Sequence, residues 1–483
     1  MSDQLRIDAM SCAGNKLLPT PNLDRLAREG VRFANSNCAF PVCVPSRTAI
    51  LTGKSSANTG VRGKVAAMDR ENDPGPSFDN ILHDRGYKSR YYGKWHAPYK
   101  LARTYDNKVA AVNVPGLPNE HVQFVALLDE HVPKREPKKG ELIEKFYNRP
   151  YRPYPVDSMY ADAQAGKRVK DTHDTQQEVI GVVDVPLEYT HGAHPTNEAL
   201  KALEEMKDGP FSLTCSIGPP HPPFLALEQF ARKFPFDKMP VPPNVSHDLR
   251  WSPYKDRAET MQHYHNADYV RQLTAAYYAM VLEVDHHVGR LLDKLDELNL
   301  TGSTMVVFTA DHGEMLGAHG LVSKMVFHDE AVRVPLLMRL PGEIKAGTVV
   351  RQPVSGLDLF DTILDYLGVK QPLRDGDSLR PAIEGRGIAG PDYRVAEWGT
   401  RNAPNFMVRT EDWKLMIADS PESRAVEALY DMKNDPFEMR NLLGDPADRA
   451  KYAGRANEMK QRLIAWLERV HSPAIEKVKA RNI

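Results

Sequence analysis

Residues 304 to 309, Thr-Met-Val-Val-Phe-Thr, make a nearly unbroken apolar run that stops at Ala310-Asp311-His312-Gly313-Glu314. A run of this length suits a strand buried on both faces, as in parallel sheets, and such a strand needs helices over each face. Phe211 to Ser216 has the same character, and residues 267 to 297 and Leu357 to Leu367 carry apolar side chains at helical spacing. A further helix is predicted from Thr20-Pro21, where the Thr20 hydroxyl would accept a free amide and Pro21 suits the first turn, with Gly30 ending it. Strands alternating with helices give an α/β sandwich. Asp311 and His312 then fall at a strand's carboxyl end, where α/β sheets build their sites.

The chain of 483 residues is long enough for two or three domains. From about 103 to 190 it is charged, contains proline and is weakly periodic, the pattern of an irregular insertion over the core; such segments often shape substrate pockets. After about 388, short extended candidates at Phe406 to Arg409 and Trp413 to Ile417 precede an amphipathic helix from roughly 447 to 470. A catalytic α/β domain over 1–387 and a smaller C-terminal α+β domain over 388–483, containing an antiparallel sheet, are therefore expected. The 63 basic and 64 acidic side chains nearly cancel and no Lys/Arg run stands out, so there is no nucleic-acid footprint and any anion must be recognised locally. No stretch approaches the roughly 20 apolar residues of a membrane span. Cys12, Cys38, Cys43 and Cys215 are too few and too scattered for a disulfide framework or a zinc cluster.

Cys43 lies in Pro41-Val42-Cys43-Val44-Pro45-Ser46-Arg47-Thr48-Ala49-Ile50-Leu51-Thr52-Gly53. Pro45 can open a helix whose free amides and positive dipole end favour an anion beside residue 43, and Arg47 adds fixed positive charge one turn along. A lone cysteine is usually one more small buried hydrophobe, so the case depends on distant segments. This segment resembles the signature of the type I, formylglycine-dependent sulfatases of the alkaline phosphatase superfamily: Cys-x-Pro-Ser-Arg followed by Leu-Thr-Gly. The resemblance implies that Cys43 is oxidised to formylglycine by a formylglycine-generating or anaerobic maturation enzyme. It implies that the aldehyde hydrate attacks sulfur with one hydroxyl and expels sulfate with the other. A large mixed, mostly parallel sheet sandwiched by helices is the fold it implies.

Four further segments match that family in its order, and the likeness runs from Asp3 to Asn15 through Trp413-Lys414-Leu415 and Leu429-Tyr430-Asp431 to Asn441-Leu442. In Gly93-Lys94-Trp95-His96 the Lys and His would lie two apart on one side of a strand end, and the resemblance assigns Lys94 to formylglycine and sulfate and His96 to orienting the hydrate and taking its proton. Pro219-Pro220-His221-Pro222-Pro223-Phe224 offers His221 as general acid, a role imidazole suits because its pKa lies near neutrality. His319-Gly320-Leu321-Val322-Ser323-Lys324 supplies Lys324 as a sulfate-binding cation. Asp311 and His312 resemble the family's second metal segment and join Asp3, Gln4 and the formylglycine from Cys43 around a divalent ion. An oxygen-rich set of that kind suits Ca²⁺ most simply, then Mg²⁺ or Mn²⁺.

Two departures stand out. Position 4 is Gln where many members have a second Asp; its carbonyl can still ligate, but one negative charge is lost. Members also open with a hydrophobic strand before the metal-binding Asp, and here Met1-Ser2 precede Asp3. Either the chain given starts at an internal Met, the favoured reading, or the protein tolerates the gap; in the first case upstream residues can include a secretion signal, with a periplasmic or secreted location. The leading expectation is hydrolysis of a sulfate monoester on a small molecule or saccharide. The alternatives are a phosphonate monoester or phosphodiester hydrolase of the same superfamily, and a catalytically silent binding protein.

Overall fold

The computed structural model describes residues 1–63, 74–107, 120–144, 148–167, 172–173, 175–246, 248–370, 374–419 and 426–483. Its centre is a mixed sheet. Thr348–Val350, Val31–Phe33, Leu336–Arg339 and Val306–Thr309 pair in that order, Val31–Phe33 running parallel to Thr348–Val350 and antiparallel to Leu336–Arg339. Lys88–Gly93 and Phe211–Ser216 form a parallel pair. Ser2 joins the two groups through parallel bridges to both Ile217 and Ala310. Only Leu336–Arg339 runs against the rest of this arrangement, so the mostly parallel sheet expected from the apolar runs is present.

The joint is narrow. Ser2 N donates to Thr309 O and Asp3 N to Ile217 O, both at 3.0 Å, and these bonds set Asp3 between two strand ends. Before them, Phe211–Thr214 and Val306–Val307 are only half-buried, unlike Leu336–Arg339 in the same sheet.

Helices cover both faces. Ala267–Glu297 packs on Pro21–Glu29 and Ala193–Met206, and Ala193–Met206 lies on Lys88–Gly93 and Phe211–Ser216. Asp358–Tyr366 packs on Cys43–Thr52. The helix from Pro21 forms, but Thr20 does not cap it with its side chain. Thr20 Oγ1 is bound to Ser11 N (2.9 Å) and Ser11 Oγ (2.8 Å), and the free amides of Asn22 and Leu23 go to Asp285 Oδ1 at 3.1 and 2.9 Å. A carboxylate from the long helix thus does the work expected of the local hydroxyl.

The stretch expected to be irregular is more ordered. Glu120–His131 is a helix, and Leu142–Glu144, Arg149–Pro153 and Ile180–Val183 form a sheet with Phe224–Leu227. Pro150 and Pro153 interrupt the alternation that would have revealed these strands. Residues 108–119, 145–147, 168–171 and 174 of that stretch lie outside the described residues. Towards the C-terminus, Arg394–Thr400, Ala403–Arg409, Trp413–Ala418 and Glu427–Asp431 make an antiparallel meander. Pro446–Arg469, capped by Asp445 accepting Ala447 N at 2.9 Å, packs over it. Among the described residues no helix is long and apolar enough to cross a membrane.

Candidate active site

Four chain segments leave the carboxyl ends of the central strands on one side of the sheet: Asp3-Gln4 after Ser2, Lys94 after Gly93, the Pro219–Pro223 loop after Ile217 and Asp311-His312 after Ala310. Parallel strand direction is what gathers them. Cys43 reaches the same place at the start of the helix Cys43–Thr52, all ten residues of which are buried. That helix begins at Cys43, with Val42 extended, so Pro45 sits within the first turn instead of opening it. Proline is tolerated there because first-turn amides have no helical partner to lose.

Two glycines let the segments converge. Gly93 has a φ of 87°, and a Cβ there would stand 2.0 Å from Ser216 O. At Gly313 a Cβ would stand 1.9 Å from Glu330 O. No side chain fits either position, which accounts for the Gly in both the Gly-Lys-Trp-His and Asp-His-Gly-Glu segments.

Asp3, Cys43, Asp311 and His312 each direct one potential ligand atom into a cluster whose members all lie within 4.8 Å of one another. His312 Nδ1 is 2.9 Å from Gly313 O, so it carries the proton of that bond and Nε2 faces Cys43 Sγ at 3.0 Å. Asp3 Oδ1 is buried with no hydrogen-bond partner among the described residues. An orphaned carboxylate oxygen beside a second carboxylate and an imidazole is a donor set that fits a divalent cation. Gln4 lies alongside, its backbone N donating to Asp311 Oδ1 at 3.0 Å and its side-chain Oε1 accepting from Lys324 Nζ at 2.5 Å.

Arg47 has a different part from the one expected. It is fully buried, and its Nε and Nη2 reach Asp311 Oδ2 (2.8 Å) and Asp3 Oδ2 (3.1 Å), while Nη1 donates to Lys94 O (2.6 Å) and Ser216 Oγ (2.8 Å). Its charge is committed to two carboxylates and it braces three of the converging segments. Lys94 pairs with Asp3 Oδ2, and its Nζ is 3.9 Å from Cys43 Sγ. His96 does not share a strand face with Lys94, because the strand ends at Gly93 and His96 has a φ of 38°. Its Nδ1 is enclosed without a hydrogen-bond partner among the described residues.

The electrostatics favour anions. Burial works against a thiolate at Cys43, but Lys324 and Lys94 outweigh it and hold the thiol well below its ordinary range. Burial would likewise raise the Asp3 carboxyl, yet Lys94, His221 and Arg47 keep it low. His221 is pushed well below a free imidazole by burial, then by Lys94 and Lys324. It rests neutral, with Nδ1 bound to Pro222 O at 2.8 Å. The same lysines that would hold an anion repel a second proton on His221.

The sulfatase family profile matches residues 1–369, well over half of the chain, and the profile for the C-terminal region of N-sulphoglucosamine sulphohydrolase matches residues 317–468. An N-acetylglucosamine-6-O-sulfatase of Bacteroides thetaiotaomicron is 27% identical across 96% of this chain and 84% of its own length. Among solved structures, a protein in complex with its substrate D-glucosamine-2-N,6-O-disulfate superposes with a TM-score of 0.71 at 23% identity, covering 100% of this chain and 98% of that one. The phosphonate monoester hydrolase of Agrobacterium radiobacter superposes with a TM-score of 0.74 at 22% identity, covering 98% and 96%. With the family profile spanning the sheet, the helices and every converging segment, this chain belongs to the sulfatase family of sulfuric ester hydrolases.

Proposed function

We propose that the protein hydrolyses a sulfate monoester, on a small molecule or a saccharide, through a formylglycine made from Cys43. The observation that carries this reading is the meeting of Cys43 with two lysines and a neutral histidine at the strand ends. Converted to formylglycine and hydrated, residue 43 would supply an oxygen nucleophile and a second hydroxyl to release sulfate. A divalent ion held by Asp3, Gln4, Asp311, His312 and residue 43 would supply Lewis acidity at that oxygen; Ca²⁺ suits the oxygen ligands, with Mg²⁺ or Mn²⁺ as alternatives. Lys94 and Lys324 bind the sulfate oxygens, and Arg47 holds Asp3 and Asp311 in place. A bound sulfate offsets the lysines' repulsion, so His221 can take a proton on Nε2 and pass it to the leaving oxygen. His96 is the candidate for orienting the hydrate.

A cleft lined by Phe124, Leu128, Val183, Tyr189 and Pro219 has His221 in its wall. It gives the leaving group a largely apolar place beside the proposed acid, built by the insertion and the proline loop. We assign the catalytic domain to residues 1–387 and a C-terminal α+β unit to 388–483. The second reading, phosphonate or phosphodiester hydrolysis, draws support from the likeness to a phosphonate monoester hydrolase and from Gln4, which leaves the ion site one negative charge poorer than an Asp would.

The test is the mass of the peptide containing Cys43, taken from protein made with a formylglycine-generating enzyme, with the same sample assayed on an aryl sulfate and an aryl phosphonate. Aldehyde with faster sulfate turnover is expected. Cys43→Ala should lower kcat by about 10³-fold or more, because no other group in the cluster can replace the nucleophile. Retention of most activity would sink the mechanism, and faster phosphonate turnover would favour the second reading.

A further inference from the structure

Glu314 closes the Asp311-His312-Gly313-Glu314 segment and has no role in the chemistry above, yet it is fully buried. Its carboxylate accepts three N–H groups. Oε2 takes the side-chain amide of Gln4, while Oε1 takes Ser323 N at 2.5 Å and Leu316 N at 3.1 Å. No cation lies within ion-pair distance of it among the described residues. Across the amide of Gln4, Oε1 accepts from Lys324 Nζ.

This sandwich fixes the direction of an otherwise reversible group. A glutamine amide has two nearly isosteric orientations, one presenting oxygen and the other NH₂. Glu314 has no proton to donate when ionised, and Lys324 has no lone pair to accept with. Only one orientation satisfies both neighbours: NH₂ to Glu314, oxygen to Lys324. The second carboxylate oxygen, through Ser323 N, ties down the turn that presents Lys324, a turn whose Ser323 has a φ of 69° and Met325 a φ of 71°.

We propose that Glu314 is a positioning residue that locks the Gln4 amide with its carbonyl oxygen toward the ion-binding and sulfate-binding side, and anchors the Lys324 turn to the same carboxylate. This rests on the metal reading proposed above. A flipped amide would turn N–H groups toward a cation, which repels it, so Glu314 sets whether Gln4 can be a ligand at all. It also returns, one residue removed, the negative charge that position 4 lacks.

The experiment titrates Mn²⁺ calorimetrically into the metal-stripped full chain. Glu314→Gln should weaken binding by about 10-fold or more, as loss of a group orienting a ligand typically does. Gln4→Ala should also weaken it, and adding Glu314→Gln to that background should change nothing further. Wild-type affinity in Glu314→Gln, or an undiminished extra loss in the Gln4→Ala background, would overturn the proposal while leaving the metal reading intact. A wild-type chain that binds no Mn²⁺ would overturn both. Should Glu314→Gln not fold, a crystal structure of the wild-type chain with Mn²⁺ decides: Gln4 Oε1 on the ion with Nε2 at Glu314 is expected, and Glu314 itself on the ion overturns it.

Discussion

Lys324 and Lys414 are both buried lysines, 8% and 0% exposed, and their surroundings differ completely. Lys414, on the strand Trp413–Ala418, donates to Asp329 Oδ1 (2.5 Å), Glu438 Oε1 (2.8 Å) and Phe327 O (3.0 Å). Two carboxylates and a carbonyl replace the water it gave up. Lys324 has the neutral oxygen of Gln4 and, among the described residues, no carboxylate within ion-pair distance. Burial of an ammonium is expensive unless an anion compensates it. Lys414 is compensated within the fold; the charge of Lys324 is left for an anion from outside. Partnership, and not burial, separates Lys414 from Lys324, the lysine proposed to bind sulfate.

The largest effect that would break this contrast comes from Lys414→Met. Removing the cation strands Asp329 and Glu438 in the interior, where Asp329 depends on Lys414 and Arg409 to stay ionised against the penalty of burial. The variant should lose roughly 3–5 kcal/mol of stability in urea denaturation, the cost of breaking one side of a buried ion pair. Its folded fraction should turn over aryl sulfate at close to the wild-type rate. An unchanged denaturation midpoint would mean that the two lysines do not differ as described.

Lys324→Ala should do the reverse. Turnover of an aryl sulfate should fall by roughly 10²–10³-fold, about 2.7–4 kcal/mol of barrier, the usual consequence of deleting one fixed charge donor from a reacting oxyanion. Stability should barely move or even rise, because no counter-ion is stranded. Thermal melting beside the kinetics checks both halves. A variant that melts far below wild type would place Lys324 with Lys414 among the structural residues.

How much of this contrast could be read before the structure follows from the physics of each signal. Apolar runs and helical periodicity are local, so Phe211–Ser216, Val306–Thr309 and Ala267–Glu297 were legible almost to the residue. Segments carrying Lys94, His221, Asp311 and Lys324 were visible as short motifs, and the parallel sheet brings them together. Partnership is not local. Nothing near Arg47 announces that its charge is spent on Asp3 and Asp311, and nothing near Asn22 points to Asp285 as its cap. Glu314 stands in plain view at the end of Asp311-His312-Gly313-Glu314, but its partner Gln4 lies near the other end of the chain in sequence. His96 was misplaced for a related reason: alternation along a strand was extended past Gly93, whose backbone turns where no other residue could.

Glu330 gives the smallest effect and the sharpest form of the comparison, because it too lacks a counter-ion yet stands outside the cluster. Its Oε1 accepts from Asn244 Nδ2 at 2.7 Å, and no cation lies within ion-pair distance of it among the described residues. Burial, reinforced by Glu438 and opposed by Arg6, pushes its carboxyl up to about 7. The folded protein therefore keeps the Glu330 proton while the unfolded chain releases it from about pH 4.5 upward, so stability is lost as pH climbs from there to about 7 and stays lost above. Glu330→Gln removes that titration. The variant should gain on the order of 1–2 kcal/mol relative to wild type between pH 5 and pH 8, a discounted figure since the side chain is only partly enclosed. Urea midpoints of both proteins at the two pH values provide the check, and a wild-type-to-variant difference that does not change with pH would refute it. Turnover measured beside it should stay near wild type: a buried carboxyl without a counter-ion outside the strand-end cluster costs stability alone, whereas at Lys324 the lack of a carboxylate partner is what the proposed sulfate would make good.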